Sequence, residues 1–300
     1  MRILVLSRDS RLYSTRRLAE AGRERGHRLR VVDYLRCRLE TKDLHPRVTF
    51  RNQSLNDYDA VIPRIGASRT PFGAAVVQQF ETAGLLSVNS AESIKRSRDK
   101  LRALQVLVAA GLNIPNTAFA HSSQSIEGLV EAVGGPPVVI KLTEGSRGAG
   151  VVLAETSEAA ESVTTALHML EGQVLVQHFV KEADGRDIRA FVVGDEVVAS
   201  MVRIARPGEF RANLHRGATA EAIELTDSER EQSVCAAQAM GLQVAGVDFL
   251  RGAAGPLFLE VNSSPGLEGI EHYTKVDVAG AIIDLLESSV VPKFSDESTS

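Results

Sequence analysis

The sequence predicts an α/β protein that is α+β in part, with an open α/β unit at its N-terminal end and antiparallel sheet towards its C-terminal end. Three observations carry this. Apolar runs at 3–6 and 29–33 flank a helical stretch, an order that pairs strands in parallel through a helical crossover. Residues 186–203 hold two apolar runs around Gly194-Asp195, a two-residue hairpin turn. Residues 244–269, VAGVDFLRGAAGPLFLEVNSSPGLEG, set two more such runs around a Gly-Ala-Ala-Gly turn. A chain of 300 residues exceeds what one core usually organises, so two or three subdomains are expected.

In chain order, residues 3–6 form a buried strand, 7–13 a loop, and a helix runs to Arg25, where Gly26 stops it. Strands follow at 29–33 and 60–63, then a loop carrying Arg64, Gly66, Ser68 and Arg69, a helix at 73–83 and a short strand at 85–89. Residues 1–95 thus make one open α/β unit. Ligands on such sheets bind beyond the strand carboxyl ends, where Ser7, Arg8, Asp9, Arg64 and Asn89 lie. The stretch 97–111 reads as one helix with Lys100 in its first turn, where the helix dipole disfavours a cation unless an anion is near. A strand at 138–142 ends on Lys141 and leads into TEGSRGAGV, with Gly145, Gly148 and Gly150. Glycines let backbone N–H groups approach phosphate oxygens, but a plain hairpin connection has the same composition. Next come a helix at 157–170, a strand at 174–180, and the hairpin 186–203, which sets Asp187, Arg189 and Phe191 on one face. Residues 206–217 are an Arg-rich loop. A helix at 227–240 is capped by Thr226 or Asp227, and a last helix covers 276–288. The Ser/Asp/Glu-rich residues 291–300 are expected to be disordered.

Composition excludes several classes. With 44% hydrophobic and 24% charged residues this is an ordinary globular chain, and a net charge of −4 argues against a general nucleic-acid binder. No apolar run reaches the roughly 18 residues of a membrane span, and MRILVLSRDS lacks a small-residue cleavage site, so it reads as a first strand. Two cysteines, Cys37 and Cys235, cannot build a disulfide framework, which favours the cytoplasm and buried structural thiols. Residues 1–38 carry eleven arginines against four acids. That is either a solvated helix face or a basic surface facing an acidic partner.

The segment 244–269 carries the chemistry. With the turn centred on Ala254, Asp248 stands opposite Glu260, and Asn262 shares their face. Val247, Phe249, Leu259 and Val261 then face a core. Two carboxylates and an amide are hard oxygen ligands of the kind a magnesium ion carrying nucleotide phosphates takes. A solvent-facing polar row on an edge hairpin is the alternative. A turn one residue longer or shorter would put the two acids on opposite faces.

The order of these signals is more specific than any one of them. LEVNSSPG, with VAGVDFL upstream, resembles the metal-binding end of the ATP-grasp carboxylate–amine ligases, and IKLTEGSRGAGV resembles their phosphate-covering loop. SRD followed by LY near the start, VIPRIG, SRDKLR, GDEVVA, FRANLHRG and VNSSPGLEGIE narrow the resemblance to the RimK type, across nearly the whole chain.

The resemblance implies an ATP-grasp fold with an N-terminal substrate domain (1–95), a central lid (96–180) and a C-terminal catalytic subdomain (181–290). It implies that Lys100 and Lys141 hold nucleotide phosphates under the loop of Gly145, Ser146, Gly148 and Gly150, and that His178 and Phe179 meet the adenine. Asp187 takes the ribose hydroxyls. Arg211, Ala212 and Asn213 reach the phosphates and the reacting carboxylate, and Arg203 lies near the transferring phosphoryl group. Asp248, Glu260 and Asn262 hold two Mg2+ or Mn2+ ions, while Ser7, Arg64, Arg189 and Asn213 are the substrate candidates. The implied reaction adds L-glutamate to the C-terminal tail of a small-subunit ribosomal protein, the sixth, using ATP; a small-molecule or other carrier-protein acceptor is the alternative. A cytoplasmic homo-oligomer, such as a tetramer, is implied as well. Two positions depart from the family pattern: His178 stands where a Glu is frequent, and Gly217-Ala218 where Gly-Gly is usual.

Overall fold

A computed structural model describes residues 1–120, 127–142, 150–169, 174–214 and 217–289. The chain opens with β1 (Arg2–Leu6), α1 (Tyr13–Glu24) and β2 (Arg28–Val32). Next come β3 (Cys37–Lys42), β4 (His45–Phe50) and β5 (Gln53–Ser54), a small antiparallel sheet the sequence reading did not anticipate. β6 (Ala60–Pro63), α2 (Thr70–Thr82) and β7 (Leu86–Ser87) complete a parallel sheet ordered β2-β1-β6-β7. Ile3 and Val5 face one core while Leu4 and Leu6 face another, so β1 is apolar on both sides, as parallel strands are.

The single helix expected over 97–111 is two, α3 (Ala91–Arg98) and α4 (Lys100–Ala109). Asp99 leaves the helical region (φ −83°, ψ 102°) and its side chain accepts the Arg102 amide N–H, capping the second helix. An Asp at that point competes with helix continuation by offering the backbone this local bond. β8 (Thr117–Ala120), α5 (Glu127–Ala132), β9 (Val138–Leu142), β10 (Val151–Ala154), α6 (Ser157–Met169) and β11 (Val174–His178) form the middle of the chain. Their sheet is antiparallel, ordered β10-β9-β11-β8, with its helices packed on one face. β9 and β10 are hairpin partners, so the glycine-rich stretch is their connection; Gly145, Ser146 and Gly148 lie outside the described residues. Gly150, at φ +70°, closes that connection, because a Cβ there would sit 2.7 Å from Leu142 Cδ1.

β12 (Arg186–Val193), β13 (Glu196–Ile204), β14 (Thr219–Ala222), α7 (Asp227–Ala239), β15 (Val244–Gly252) and β16 (Gly255–Asn262) follow. Thr226 caps α7 in a full capping box with Glu229. The strands build a five-stranded antiparallel sheet ordered β14-β13-β12-β15-β16. One of its faces (Ile188, Ala190, Val192, Val247, Phe249, Phe258, Val261) packs on α4 and α7. Two helices end the described chain, α8 (Leu267–Thr274), which was not anticipated, and α9 (Val278–Ser289) in place of the helix expected over 276–288. Residues 291–300 lie outside the described residues.

Part of the basic N-terminal segment is neutralised within the chain. Arg17 contacts Asp277 at 2.9 Å and Glu271 at 3.4 Å, Arg25 contacts Asp284 at 2.7 Å, and His27 contacts Glu287 at 2.7 Å. One acidic partner of that surface is therefore the pair α8–α9.

Asn89 joins the parallel sheet to the five-stranded one. Its buried amide donates to the Val244 and Ser263 carbonyls (2.8 and 2.9 Å) and accepts from the Gln243 and Val244 amides (2.9 and 3.1 Å). Position had made Asn89 a ligand candidate; all of these bonds are structural. Asn89→Ala is expected to cost at least about 2–3 kcal/mol, since it strips partners from buried backbone groups, and chemical denaturation measures it.

Candidate active site

The register of the five-stranded sheet assembles the site. Asp187 stands opposite Arg203 and Arg189 opposite Asp248, so the two-residue period lines up four charges on one face. Arg189 grips Asp248 through Nε (2.7 Å) and Nη2 (2.6 Å), Arg203 adds Nη2 at 3.0 Å, and Arg203 Nε also donates to Asp187. Burial raises the Asp248 carboxyl, but the two guanidiniums outweigh it and hold the group down at about 2. Asp187 is pushed up to about 6, by burial first and by Asp248's charge in addition, against the pull of Arg203.

Asp248 does stand opposite Glu260, but not through a turn centred on Ala254. Gly252 pairs with Gly255, so the turn is the two residues Ala253-Ala254, and a one-residue bulge at Leu259, opposite the Asp248–Phe249 step, restores the pairing. In consequence Phe258 faces the core with Phe249 (ring centroids 5.4 Å apart), and Leu259, expected in the core, is only half-buried. Asn262 shares the face as expected, donating its amide to Glu260 Oε1 at 2.9 Å. β16 is the edge strand and Glu260 is exposed.

Opposite this face stand two lysines. Lys141 alternates with Val138 and Ile140, which pack on the helices of the middle sheet, so its ammonium points away from them. Burial lowers it to about 8, with Glu260 acting against that and Lys100 adding to it. Lys100, lowered by burial, donates to the Leu142 carbonyl. Arg211 reaches the same sheet through the Val151 carbonyl (3.2 Å) and is chelated by Glu209, whose carboxyl it holds down at about 2. Phe210, in that loop, meets Phe179 edge-on at 6.2 Å between centroids. Ala212 is buried and Asn213 half-buried. The strand end of β11 is pinned by the His178 and Phe179 amides on Asn116 O (2.8 Å) and Pro137 O (3.2 Å). His178 Nδ1 is buried without a partner among the described residues.

The structure thus sets Asp187, Arg189, Arg203, Asp248, Glu260 and Asn262 on one face of the five-stranded sheet, with Lys100 and Lys141 near enough to feel the charge of Glu260. Ser7 does not join them: its hydroxyl is buried on Thr15 Oγ1 (2.8 Å) and the Asp9 carbonyl (3.2 Å). Arg64 donates to the Pro265 carbonyl at 2.6 Å. Two residues that the sequence reading did not single out also matter here, Glu209 as the partner of Arg211 and Arg98 at the end of α3. Arg98 was visible within SRDKLR, two residues before Lys100.

The donor set suits a magnesium ion. Glu260 is outside any ion pair among the described residues, Asn262 brings an amide oxygen, and the Asp248 carboxylate has lone pairs beyond those its arginines use. No cluster of three or more His, Cys, Asp or Glu occurs among the described residues, so phosphate and water oxygens must complete such a shell, as is usual for that ion.

Comparison with known proteins agrees with this architecture. The RimK PreATP-grasp domain matches residues 1–94 and the RimK-like ATP-grasp domain residues 97–286. A probable alpha-L-glutamate ligase of a Picosynechococcus species is 55% identical over 292 residues, covering 97% of both chains. One from Pseudomonas paraeruginosa is 56% identical over 295 residues, covering 98% of both. The structure of the ATP-grasp ligase PsnB with a phosphomimetic variant of its minimal precursor, Mg and ADP has the same fold, with a TM-score of 0.73 at 24% identity over 96% of this chain and 97% of that one. Matches of this length establish that the chain belongs to the RimK family of ATP-grasp ligases and is an enzyme.

Proposed function

We propose that the protein joins the α-amino group of L-glutamate to the C-terminal carboxylate of a small-subunit ribosomal protein, the sixth, at the expense of ATP. One observation carries the reading: Lys100 and Lys141 lie within reach of the charge of Glu260, which stands opposite Asp248 and shares its face with Asn262. Residues 1–95 serve as the substrate domain, 96–180 as the lid and 181–290 as the catalytic subdomain. A second acceptor reading, a different peptide or carrier protein, is favoured by the precursor bound to PsnB. The names of the 55–56% identical relatives support glutamate.

A carboxylate does not condense with an amine in water, because oxide is a poor leaving group. In the proposed sequence a carboxylate oxygen attacks the γ-phosphorus of ATP, the bond to the β-phosphate oxygen breaks and ADP leaves. The amine nitrogen then attacks the acyl carbon, phosphate leaves, and the nitrogen loses its proton. Lys100 and Lys141 neutralise phosphate charge, and Arg203 and Arg211 stabilise the transferring phosphoryl group and the later oxyanion. Glu260, Asn262 and Asp248 would hold Mg2+ or Mn2+, which supplies charge neutralisation on the phosphates. His178 and Phe179 flank the adenine, Asp187 meets the ribose, and Gly150 with the preceding glycines covers the phosphates. Arg189 and Asn213 are assigned to substrate. No side-chain nucleophile is needed, but water must be kept from the acyl phosphate.

Incubation with ATP, L-glutamate and the purified acceptor should add mass in glutamate units, read by intact-mass spectrometry. ADP release without mass gain on any peptide acceptor would overturn the reading. A proton balance offers a second check. Lys141, near 8 in the free protein, must be charged to hold a phosphate, so nucleotide binding pulls its pKa up. Below pH 7 the lysine is already protonated and nothing is taken up. Binding should take up about half a proton at pH 8 and close to one near pH 9, which Lys141→Met removes, as calorimetry in buffers of different ionisation enthalpy will show.

A further inference from the structure

We propose that Arg64 and Arg98 form a fork that binds a carboxylate of the condensing substrates, an inference that rests on the ligase reading above. Arg64 leaves the carboxyl end of β6, and Arg98 ends α3, which packs against β16. Each guanidinium is half-buried and has one recorded bond: Arg64 Nη2 to the Pro265 carbonyl (2.6 Å), Arg98 Nη2 to the Ile65 carbonyl (2.8 Å). A guanidinium carries five N–H donors, so among the described residues most of this capacity is unused, and the buried Arg98 Nε has no partner there. Ser263, 1% exposed and in the loop that Arg64 grips, also has a hydroxyl without a partner.

The charge arrangement is the stronger argument. Arg17, Arg25, Arg189, Arg203 and Arg211, partly or fully buried, are all ion-paired, whereas half-buried Arg30 lies over the Phe50 ring and half-buried Arg96 on the Ala239 carbonyl, with no acid among the described residues. Among the described residues neither Arg64 nor Arg98 is ion-paired. They stand near enough to repel, since burial first and Arg98's charge second push Arg64 down to about 10. Two adjacent, partly dehydrated cations with no acid in salt-bridge contact among the described residues are costly. An anion between them would remove that cost.

A carboxylate fits better than a nucleotide phosphate. Lys100 and Lys141 are already assigned to the phosphates in the reading above, whereas Arg64 leaves the parallel sheet and Arg98 bonds the carbonyl of the residue after it, with Glu260's charge still reaching Arg98. Planar guanidiniums bind planar carboxylates in two-point fashion. Two sources share this chemistry: L-glutamate, and the terminal residue of the acceptor.

The test measures KM for L-glutamate, acceptor and ATP in Arg64→Gln and Arg98→Gln of the full chain. Losing a charged bond of this type is expected to raise one carboxylate substrate's KM about 10- to 100-fold while leaving that of ATP unmoved. A shift confined to glutamate assigns the fork to the incoming amino acid; a shift confined to the acceptor assigns it to the chain being extended. A rise in the ATP KM, or no KM change with a lowered melting temperature, would overturn the proposal and leave the arginines as phosphate ligands or as clamps on loop carbonyls. Should a variant not fold, the wild-type protein answers: arginine-selective dicarbonyl labelling, mapped by mass spectrometry, must be blocked at Arg64 and Arg98 by glutamate or acceptor and not by ADP alone. Failure of the wild type to ligate glutamate sinks the ligase reading itself. Ligation with unmoved KM values sinks only the fork.

Discussion

Replacing Glu260 with alanine is expected to reduce amide formation by at least about 10^3-fold with little change in stability. The two halves of that expectation come from different observations. Glu260 is exposed on an edge strand and outside any ion pair among the described residues, so the fold does not depend on its charge. Surface substitutions of this kind stay within about 0.5 kcal/mol. Yet Glu260 is the acid that Lys100, Lys141 and Arg98 all sense. Removing it strips the donor face of its one unpaired carboxylate and leaves three cations unopposed. Steady-state turnover and a denaturation curve of the same preparation check both halves. Retention of more than about a tenth of the rate would show that the hairpin does not serve the chemistry.

Asp248→Ala should behave differently, although the sequence groups it with Glu260. Turnover is expected to fall as steeply, but the protein should also lose about 3–5 kcal/mol of stability. Asp248 is 2% exposed and accepts from two guanidiniums. Its loss leaves Arg189 without its recorded acid and Arg203 with Asp187 alone. Its depressed pKa makes the same statement in terms of pH. A carboxyl whose folded value lies below its unfolded one contributes stability that is present above pH 4 and is lost as the pH falls towards 2. Asp248→Ala should therefore flatten the acid limb of the stability curve, and urea midpoints between pH 2 and 5 would show it.

How legible all this was depends on where the information lay. Alternation within one strand is local, so the shared face of Asp187 and Arg189, and that of Glu260 and Asn262, followed from counting residues. The Asp248–Glu260 pairing was reached through a wrong turn centre that a bulge cancelled, because a bulge has no signature in so apolar a run. That cost the placement of Leu259 and Phe258. The break at Asp99 could have been seen, since an Asp ahead of a helical turn is a cap as readily as an interior residue. What no local pattern could supply was pairing at a distance: Arg211 with Val151, Asn89 with Val244, and the acids that neutralise α1. The small sheet β3-β4-β5 was missed because its strands are largely polar and exposed.

The stitching of α1 to α8 and α9 has a consequence for synthesis. Arg17 and Asp277 are 260 positions apart, and Arg25 and Asp284 are 259. A contact spanning nearly the whole polypeptide must wait until translation is almost finished. Until then Arg17 and Arg25 lack their distant acids, Arg17 keeping only its local partner Glu20, beside the polyanionic surface of the ribosome making them. Completion of the final helices is the event that trades that neighbour for the protein's own acids.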